Sequence, residues 1–299
     1  MTSDRADTTA STPLTVARLM QELAHALAAR DIARPVAEAR EIVAALYDVP
    51  RFWPQVNGAV QVDQETLLRA RAAVQRRLRG APLAYAVGRA AFRNLTLDVD
   101  ERVLIPRPET EQLVELVLNA TSEARGGVAI DVCTGSGAIA LALATEGHFS
   151  RVYATDISRD ALAVAAGNVE HTRASLKAPV HLLEGSLLGP VLDVRARVVV
   201  SNPPYIALGE AAVLPASVRD WEPAVALYSG NDGMSATARL VRQAADVLLP
   251  NGLLALEVDT RRASLAAELV SRERRFHAIR VELDLAGRER FVLARRREH

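Results

Sequence analysis

The sequence predicts an α/β fold in which helices cover both faces of a mostly parallel sheet, with a small helical bundle before it. From residue 108 onward, short apolar runs alternate with helical patterns, which is typical of strands joined by crossover helices. Before residue 88 the apolar residues recur at helical spacing, and no clear strand is present. The length of 299 residues and the hydrophobic content of 49% are sufficient for one large domain or two ordinary ones.

The N-terminal part of the chain predicts three helices. The motif Ser11-Thr12-Pro13 is typical of a helix cap with proline at the first helical position. Apolar residues recur at helical spacing after it. Two further helical patterns cover residues 35–47 and 64–78. Their arginine-rich faces are either solvated, which we favour, or a patch for nucleic acid.

Glycine, proline and short strand-like runs dominate the next segment. The runs at residues 95–99 and 102–105 predict short strands, and the segment as a whole predicts a hairpin or connector.

The remainder of the chain predicts alternating helices and strands. Helices are predicted at residues 108–120, 138–145, 160–172, 235–249 and 261–274. Strands are predicted at residues 128–133, 151–156, 180–184, 197–201, 252–258, 278–285 and 290–294.

Charge, apolar runs and cysteine content exclude several classes of protein. The 36 basic and 36 acidic residues balance, which argues against a broad surface for duplex DNA or a membrane. Residues 1–12 are polar, with no signal peptide, and we expect them to be disordered; no later segment approaches about 18 uninterrupted apolar residues. Cys133 is the only cysteine and the six histidines are scattered, so neither a disulfide nor a metal is expected. We expect a soluble protein of the reducing cytoplasm.

A glycine loop follows the strand predicted at residues 128–133. The loop, Thr134-Gly135-Ser136-Gly137, runs into a helix, and in this context glycines let the backbone approach a ligand closely. Asp156 ends the next strand, where an acid can accept hydrogen bonds from two ribose hydroxyls. Together they predict a nucleoside cofactor. Tight strand–helix packing by the loop and helix capping by Asp156 are the alternatives.

The identity of the cofactor depends on Asp131. Residues 135–140 also satisfy the G-x-G-x-x-A pattern of NAD sites, so an oxidoreductase is a competitor. However, Asp131 stands just before the loop, and an acid there suits an ammonium group, which S-adenosylmethionine has, better than a pyrophosphate. A structural bond from Asp131 to the local backbone is the alternative.

The motif Asn202-Pro203-Pro204-Tyr205 follows the buried strand predicted at residues 197–201. Two consecutive prolines cannot extend a central strand, because neither has an N–H for the ladder and each fixes φ at about −65°. The chain must therefore leave the sheet in a stiff turn that aims Asn202 at the carboxyl edge, where ligands of open α/β sheets bind. A turn that merely ends a strand is the alternative.

Taken in order, Asp131-x-x-x-Gly135-x-Gly137, Asp156 and the Asn-Pro-Pro-Tyr motif resemble the S-adenosylmethionine-dependent methyltransferases that act on planar nitrogens. Four stretches outside this site are similar to the HemK/PrmC family of release-factor glutamine methyltransferases, and the resemblance extends over residues 13–297. They are Pro-Leu-Ala-Tyr at 82–85, Val-Leu-Ile-Pro-Arg-Pro-Glu-Thr-Glu at 103–111, Asp-Trp-Glu-Pro at 220–223 and Asp-Leu-Ala-Gly-Arg-Glu-Arg at 284–290.

This resemblance implies a domain organisation, a cofactor and a partner. The domains are a helical substrate-recognition domain at residues 13–88, a hairpin linker at 89–107 and a seven-stranded, Rossmann-like methyltransferase domain at 108–299. The cofactor is S-adenosyl-L-methionine, and the substrate is the glutamine in the Gly-Gly-Gln motif of class I peptide chain release factors. The enzyme is expected to be monomeric, without stable binding to nucleic acid or membranes.

The resemblance also divides the site residues between cofactor and substrate. The residues expected to bind the cofactor are Asp131, Cys133, Thr134, Gly135, Ser136, Gly137, Asp156, Ser186 and Asn202. The residues expected to bind the glutamine are Asn202, Pro203, Pro204 and Tyr205, and of these Asn202, Pro203 and Tyr205 are the expected catalytic residues. If Asn202 Oδ1 and the Pro203 carbonyl each accept one amide N–H, the nitrogen lone pair points at the methyl group. Tyr205 either packs against the planar amide or fills the core.

Three positions depart from the family pattern. Cys133 stands where a glycine usually begins the loop. Ser186 lies in a stretch where relatives often have an acid near the adenine, and Asp259 stands where glycine is common.

Other functions would use some of the same residues. A nucleic-acid methyltransferase acting on adenine N6 or guanine N2 would use the same Asn-Pro-Pro-Tyr motif on a flipped base, but it needs a basic cleft or a recognition domain. An NAD-dependent oxidoreductase needs a hydride-site acid or base where two prolines stand. A non-catalytic binding module would not need both halves of a reactive site.

Overall fold

The structure is a computed structural model that describes residues 13–123 and 125–298. The chain forms two compact units, which divide between Val87 and Gly88. The segment expected to be disordered, residues 1–12, lies outside the described residues. Within the described ranges, every helix is too short or too polar to span a membrane.

The N-terminal unit is helical. Its helices are α1 (Val16–Ala28), α2 (Pro35–Tyr47), α3 (Trp53–Val56), α4 (Gln64–Leu78) and α5 (Leu83–Val87). The three long helices bury Leu19, Ile42 and Val74 in a shared apolar core. Helices α3 and α5 escaped prediction because elements of four and five residues are too short to show a 3.6-residue period.

The sequence predicts that helix α1 begins at Pro13, but in the structure it begins at Val16. Its N-cap is Thr15, whose hydroxyl accepts a hydrogen bond from the Arg18 N–H at 3.4 Å. The N–H of Val16 bonds to the carbonyl of Val60, which holds the entry to the helix in place.

The C-terminal unit begins with an antiparallel hairpin of β1 (Arg89–Phe92) and β2 (Leu95–Asp98). The prediction of a strand at residues 102–105 is wrong. The Val103 N–H bonds to the Asp100 carbonyl in a turn, and Pro106 then removes a donor that a strand would need. Strand β1 escaped prediction because Arg-Ala-Ala-Phe contains no β-branched residue.

The predicted seven-stranded, Rossmann-like sheet is confirmed. Its strands are β3 (Val128–Val132), β4 (Arg151–Asp156), β5 (Val180–Glu184), β6 (Ala196–Ser201), β7 (Leu248–Glu257), β8 (Phe276–Leu283) and β9 (Glu289–Arg296). They lie in the order β5-β4-β3-β6-β7-β9-β8, in which β9 runs antiparallel to both of its neighbours, β7 and β8, and the other neighbouring pairs are parallel. The helices of this unit are α6 (Pro108–Thr121), α7 (Ala138–Glu146), α8 (Arg159–Thr172), α9 (Ala216–Arg219), α10 (Ala224–Leu227), α11 (Ser235–Val247) and α12 (Ala263–Arg272).

The two faces of the sheet pack against different helices. On β6, Val198 and Val200 lie in an apolar cluster with residues of α6 and α7, whereas Val199 lies in a second cluster with residues of α11 and α12. Successive side chains of a strand point to opposite faces, so the continuous apolar run of β6 is what burial on both faces requires.

The carboxyl ends of the parallel strands share one edge of the sheet. Strands β4, β3, β6 and β7 are neighbours there, and the strand order reverses at β3. Polar residues at or just after these ends include Asp156 on β4, Asn202 after β6 and Glu257 on β7. The fold thus brings together residues that are far apart in the sequence.

Candidate active site

A first cavity, of about 290 Å³, lies at the carboxyl ends of β3, β4 and β6. It is formed where the strand order reverses, which is where ligands of open α/β sheets bind. Six residues predicted for the site line it, namely Cys133, Gly135, Asp156, Ser186, Asn202 and Pro204. Apolar side chains complete the wall, among them Leu104, Ile157 and Leu187.

The loop after β3 turns through three residues with positive φ. The φ angles of Cys133, Gly135 and Gly137 are 61°, 55° and 85°. A Cβ on Gly135 would meet no atom within 4 Å, so the backbone there is open to a ligand. A Cβ on Gly137 would instead lie 3.4 Å from the Cβ of Ala165 on α8. The first glycine therefore gives access to the backbone, and the second allows close packing of the loop against a helix.

Cys133 keeps the left-handed backbone of the loop although it has a Cβ. That conformation costs roughly 1–2 kcal/mol for a residue other than glycine, and more for a β-branched one. We expect Cys133→Val to lower the free energy of unfolding by about 2 kcal/mol. Cys133→Gly should stay within about 1 kcal/mol of wild type, because relief of strain offsets the loss of a partly buried thiol. Urea unfolding measures the free energy of unfolding of both variants. Equal values would contradict the inference that the backbone at Cys133 is strained.

Asp156 joins the loop to the end of β4. Its Oδ2 accepts a hydrogen bond from the Gly135 N–H and its Oδ1 one from the Ser158 N–H, both at 2.9 Å. Burial raises the pKa of Asp156, and these two hydrogen bonds act in the opposite direction. Each oxygen retains a further lone pair for a ligand hydroxyl. Asp156 therefore shapes the loop and lines the cavity at once.

Asp131 is fully buried and does not line the first cavity. Its Oδ2 accepts hydrogen bonds from the Thr134 hydroxyl and from the Ala140 N–H, so the structural alternative raised by the sequence is present. Its Oδ1 has no hydrogen-bond partner among the described residues. Burial raises the pKa of Asp131 to about 7. An unpartnered carboxylate oxygen is a suitable acceptor for a cationic donor, so a role toward an ammonium group stays a prediction.

Three further residues predicted to bind the cofactor, Thr134, Ser136 and Gly137, are absent from the wall of the first cavity. Thr134 and Ser136 are buried; the Thr134 hydroxyl bonds to Asp131, and the Ser136 carbonyl accepts from Asn168 Nδ2 at 2.9 Å. One side of a tight loop faces the ligand and the other packs against the protein. Thr134 and Ser136 are on the side that packs against the protein. The sequence pattern cannot separate the two sides, because both contribute to the same glycine-rich motif.

Ser186, which is predicted to bind the cofactor, lies in the wall of the first cavity next to a basic residue. Its hydroxyl accepts a hydrogen bond from Arg239 Nη2 at 3.5 Å, and Arg239 also lines the cavity. An arginine therefore stands beside the position at which the family pattern led us to look for an acid.

A second cavity, of about 250 Å³, also borders the Asn-Pro-Pro-Tyr turn. Asn202, Pro203 and Tyr205 line it, and Asn202 lines the first cavity as well. Tyr205 is half-buried, and burial raises the pKa of its phenol. Five charged residues in this wall were not predicted from the sequence, namely Arg107, Glu210, Asp259, Arg261 and Arg290.

Arg107 is fixed by a buried partner from a distant part of the chain. Its Nη2 donates to both carboxylate oxygens of Glu222, at 2.6 and 2.7 Å. Burial raises the pKa of Glu222, and the charge of Arg107 offsets part of this effect. The family-like stretches at residues 103–111 and 220–223 contain this pair, so the resemblance marked both residues, but their contact is visible only in the fold.

The unusual residue Asp259 belongs to an ion-pair network in the same wall. It accepts hydrogen bonds from Arg261, whose Nη1 also lies 3.0 Å from Glu210. Glu210 further accepts from Arg262 Nη2 at 2.9 Å. Burial alone would raise the pKa of Asp259, but hydrogen bonds from Arg261 lower it overall. The network ties the segment after the Asn-Pro-Pro-Tyr turn to the end of β7.

Thr110 bonds to Asn202, and Glu257 bonds to Thr110; neither was predicted as a site residue. Asn202 Nδ2 donates to Thr110 Oγ1 at 3.1 Å, and the Thr110 hydroxyl donates to Glu257 Oε2 at 2.7 Å. Both residues are buried. Burial raises the pKa of Glu257 to about 7, and the hydrogen bond from Thr110 opposes this shift.

This arrangement suits transfer of a small group between two ligands. An electrophile in the first cavity and a planar amide or amino group in the second would meet beside Asn202, which lines both. No group of three or more potential ligands from His, Cys, Asp and Glu is placed to hold a metal ion in the described ranges.

Comparison with protein-family models gives two matches. Residues 18–88 match the PrmC N-terminal domain, and residues 109–216 match the methyltransferase small domain.

Curated relatives match over most of the chain. A release factor glutamine methyltransferase of Gloeobacter violaceus is 39% identical over 260 residues, which cover 86% of this chain and 89% of the relative. One from Moorella thermoacetica is 38% identical over 287 residues, covering 95% of this chain and 100% of the relative. One from Streptomyces coelicolor is 36% identical over 285 residues, covering 93% and 98%.

Solved structures share the fold at low sequence identity. The catalytic domain of hMettl16 in complex with MAT2A 3'UTR hairpin 1 matches with a TM-score of 0.57 and 16% identity, over 86% of this chain and 91% of that one. A methyltransferase from Pyrococcus furiosus matches with a TM-score of 0.52 and 18% identity, over 69% and 91%. These likenesses concern the fold alone.

Proposed function

The chain belongs to the family of release factor glutamine methyltransferases, and from this premise we propose that it methylates the glutamine side-chain amide nitrogen (N5) in the Gly-Gly-Gln motif of peptide chain release factors. The methyl donor is S-adenosyl-L-methionine. The observation that carries the proposal is that Asn202 lines both cavities, so one side chain can contact the donor and the acceptor.

The first cavity suits the methyl donor in three respects. The open backbone at Gly135 leaves room for close approach, and Asp156 offers carboxylate oxygens to ribose hydroxyls. Apolar side chains such as Ile157 and Leu187 suit a flat purine ring. Outside the wall of this cavity, the buried Oδ1 of Asp131 has no hydrogen-bond partner among the described residues, which suits an ammonium group. When bound, the sulfonium compound supplies an electrophilic methyl group and a good leaving group.

The Asn-Pro-Pro-Tyr turn prepares the acceptor. An amide nitrogen is a poor nucleophile, because its lone pair is delocalised into the carbonyl. Asn202 Oδ1 and the Pro203 carbonyl each accept one N–H of the substrate amide, which turns the lone pair toward the first cavity. Pro204 has no N–H, so the turn is held by fixed φ angles rather than by a ladder hydrogen bond. Tyr205 provides a flat surface for the amide in the second cavity.

The chemical step then balances without a redox partner. The amide nitrogen forms a bond to the methyl carbon while the bond from carbon to sulfur breaks, and sulfur keeps the electron pair. The nitrogen releases one proton to water. Holding nucleophile and electrophile in line contributes roughly 7–11 kcal/mol to lowering the barrier, so positioning is the main task of the protein.

We further propose a substrate class, a role for the helical unit, an oligomeric state and a cellular location. We assign the substrate to class I release factors and substrate recognition to the helical unit, and the match of residues 18–88 to the PrmC N-terminal domain supports this. Balanced charge supports an enzyme without stable binding to nucleic acid. We propose a monomer that acts in the cytoplasm, where release factors work.

The proposed function is tested by locating transferred label. The purified chain is incubated with methyl-labelled S-adenosylmethionine and either a class I release factor or DNA, and mass spectrometry locates the label. We expect one added methyl group on the glutamine of the Gly-Gly-Gln motif and none on DNA. A release factor with alanine in place of that glutamine is the control. Label on DNA, or on both release factors alike, would contradict the proposal.

A further inference from the structure

The proposed mechanism requires the oxygen of the Asn202 side chain to face the substrate amide. An asparagine amide can rotate, and the rotated form presents its NH2 group where the mechanism needs an acceptor. A substrate N–H facing that NH2 group would have no acceptor. Something in the structure must therefore select one of the two orientations.

The ends of three elements converge behind Asn202. Thr110 lies in the first turn of α6, Glu257 is the last residue of β7, and Asn202 directly follows β6. Thr110 is 5% exposed and Glu257 is 1% exposed, so water does not compete for their hydrogen bonds. Neither residue lines the first or the second cavity.

The hydrogen bonds among these residues have a defined direction. An ionised carboxylate only accepts, so the single hydroxyl hydrogen of Thr110 goes to Glu257 Oε2, at 2.7 Å. Thr110 Oγ1 can then only accept from Asn202, and it does so from Nδ2 at 3.1 Å. The rotated amide would place Oδ1 against a hydroxyl oxygen that has no hydrogen left to donate.

We propose that Thr110 and Glu257 are positioning residues, which fix the Asn202 amide so that its oxygen is left for the substrate. This inference rests on the proposed function. A buried hydroxyl and a buried carboxylate are costly to keep away from water, and the bond between them and the bond from Asn202 to Thr110 provide compensation. Truncation of Thr110 frees the amide to rotate, and it affects turnover rather than binding of either ligand.

The test compares two substitutions at one position with a matched control on the same helix. Thr110→Val removes the hydroxyl at nearly constant volume, and Thr110→Ser keeps it. Thr121→Val removes another buried hydroxyl of α6, one that donates to the Val117 carbonyl. Assays at about pH 8.5, where the Glu257 carboxylate predominates, measure kcat and KM for a release factor. Calorimetry measures the affinity for S-adenosylhomocysteine.

We expect Thr110→Val to lower kcat by about 10- to 100-fold, with KM and cofactor affinity within about twofold of wild type. Thr110→Ser should retain most of the activity, and Thr121→Val should match wild type. In the Asn202→Ala background, Thr110→Val should lower kcat by less than about twofold further, because the two residues act as a unit. Equal kcat in wild type and Thr110→Val, or a full additive loss in the double variant, would overturn the inference.

A second measurement does not depend on turnover. In protein labelled with ¹⁵N at asparagine, the Asn202 side-chain amide is assigned by its loss in Asn202→Ala. The Nδ2 proton donated to Thr110 should exchange slowly with solvent in wild type and Thr110→Ser and fast in Thr110→Val. Fast exchange in all three would overturn the inference. A wild-type chain that methylates no release factor yet protects this amide would contradict the proposed function alone.

Discussion

Asn202→Ala should lower kcat for release-factor methylation by on the order of 100- to 1,000-fold, because the variant lacks the side-chain acceptor of the substrate amide. The Pro203 carbonyl remains, so one of the two N–H acceptors is still in place. Binding of S-adenosylhomocysteine should weaken only modestly, since Asn202 is one of many residues in the wall of the first cavity. Single-turnover transfer of labelled methyl groups measures the rate, and calorimetry measures the affinity.

Asn119→Ala provides the matched control for this substitution. Asn119 is an exposed asparagine on α6 that bonds to Glu115 and lies in neither cavity. Its replacement should leave turnover unchanged. Equal turnover in wild type and Asn202→Ala would contradict the proposed role of Asn202 as an acceptor for the substrate amide.

Asp156→Ala should have the second largest effect, and this effect should fall on cofactor affinity. Hydrogen bonds to a charged group contribute about 1.5–3 kcal/mol, so loss of the carboxylate should raise the Kd for S-adenosylhomocysteine by on the order of 100-fold. The structure adds a second reason, since Asp156 also holds the N–H groups of Gly135 and Ser158. At saturating cofactor, kcat should remain within about fivefold of wild type.

Asp156→Asn separates the two roles of this residue. Asparagine keeps one acceptor oxygen for a loop N–H but removes the negative charge, so an intermediate loss of affinity is expected. Asp193→Ala, at an exposed aspartate outside both cavities, is the control for charge alone. A drop confined to kcat at saturating cofactor would contradict the assignment of Asp156 to the cofactor.

The sequence was informative wherever local chemistry restricts the backbone. Pro203 and Pro204 cannot continue a strand, so the turn that aims Asn202 follows from the residues themselves. Gly135 and Asp156 were predicted because a strand, a glycine loop and the end of a second strand follow one another at the spacing typical of nucleoside-binding sites. Both regions line the first cavity at the predicted edge of the sheet.

The same patterns were less informative about which way each side chain faces. Asp131, Thr134 and Ser136 belong to the predicted motif, yet all three are buried and none of them lines the first cavity. Conversely, Cys133 keeps a backbone conformation that glycine adopts more easily, and it lines the first cavity. A motif constrains the path of the chain, but burial on one side or the other depends on what packs against it.

By itself, the sequence determined the α/β class, the helical N-terminal region, the glycine loop, Asp156 and the stiff turn at Asn202. Each of these follows from periodicity or backbone restriction within a few residues. Only the tertiary structure decided that Asn202 lies between two cavities and that Thr110 and Glu257 support it from behind. Thr110 and Glu257 are 147 residues apart, and no local pattern relates them. Their contact exists because parallel strands place their carboxyl ends on one edge of the sheet, where helix α6 also begins.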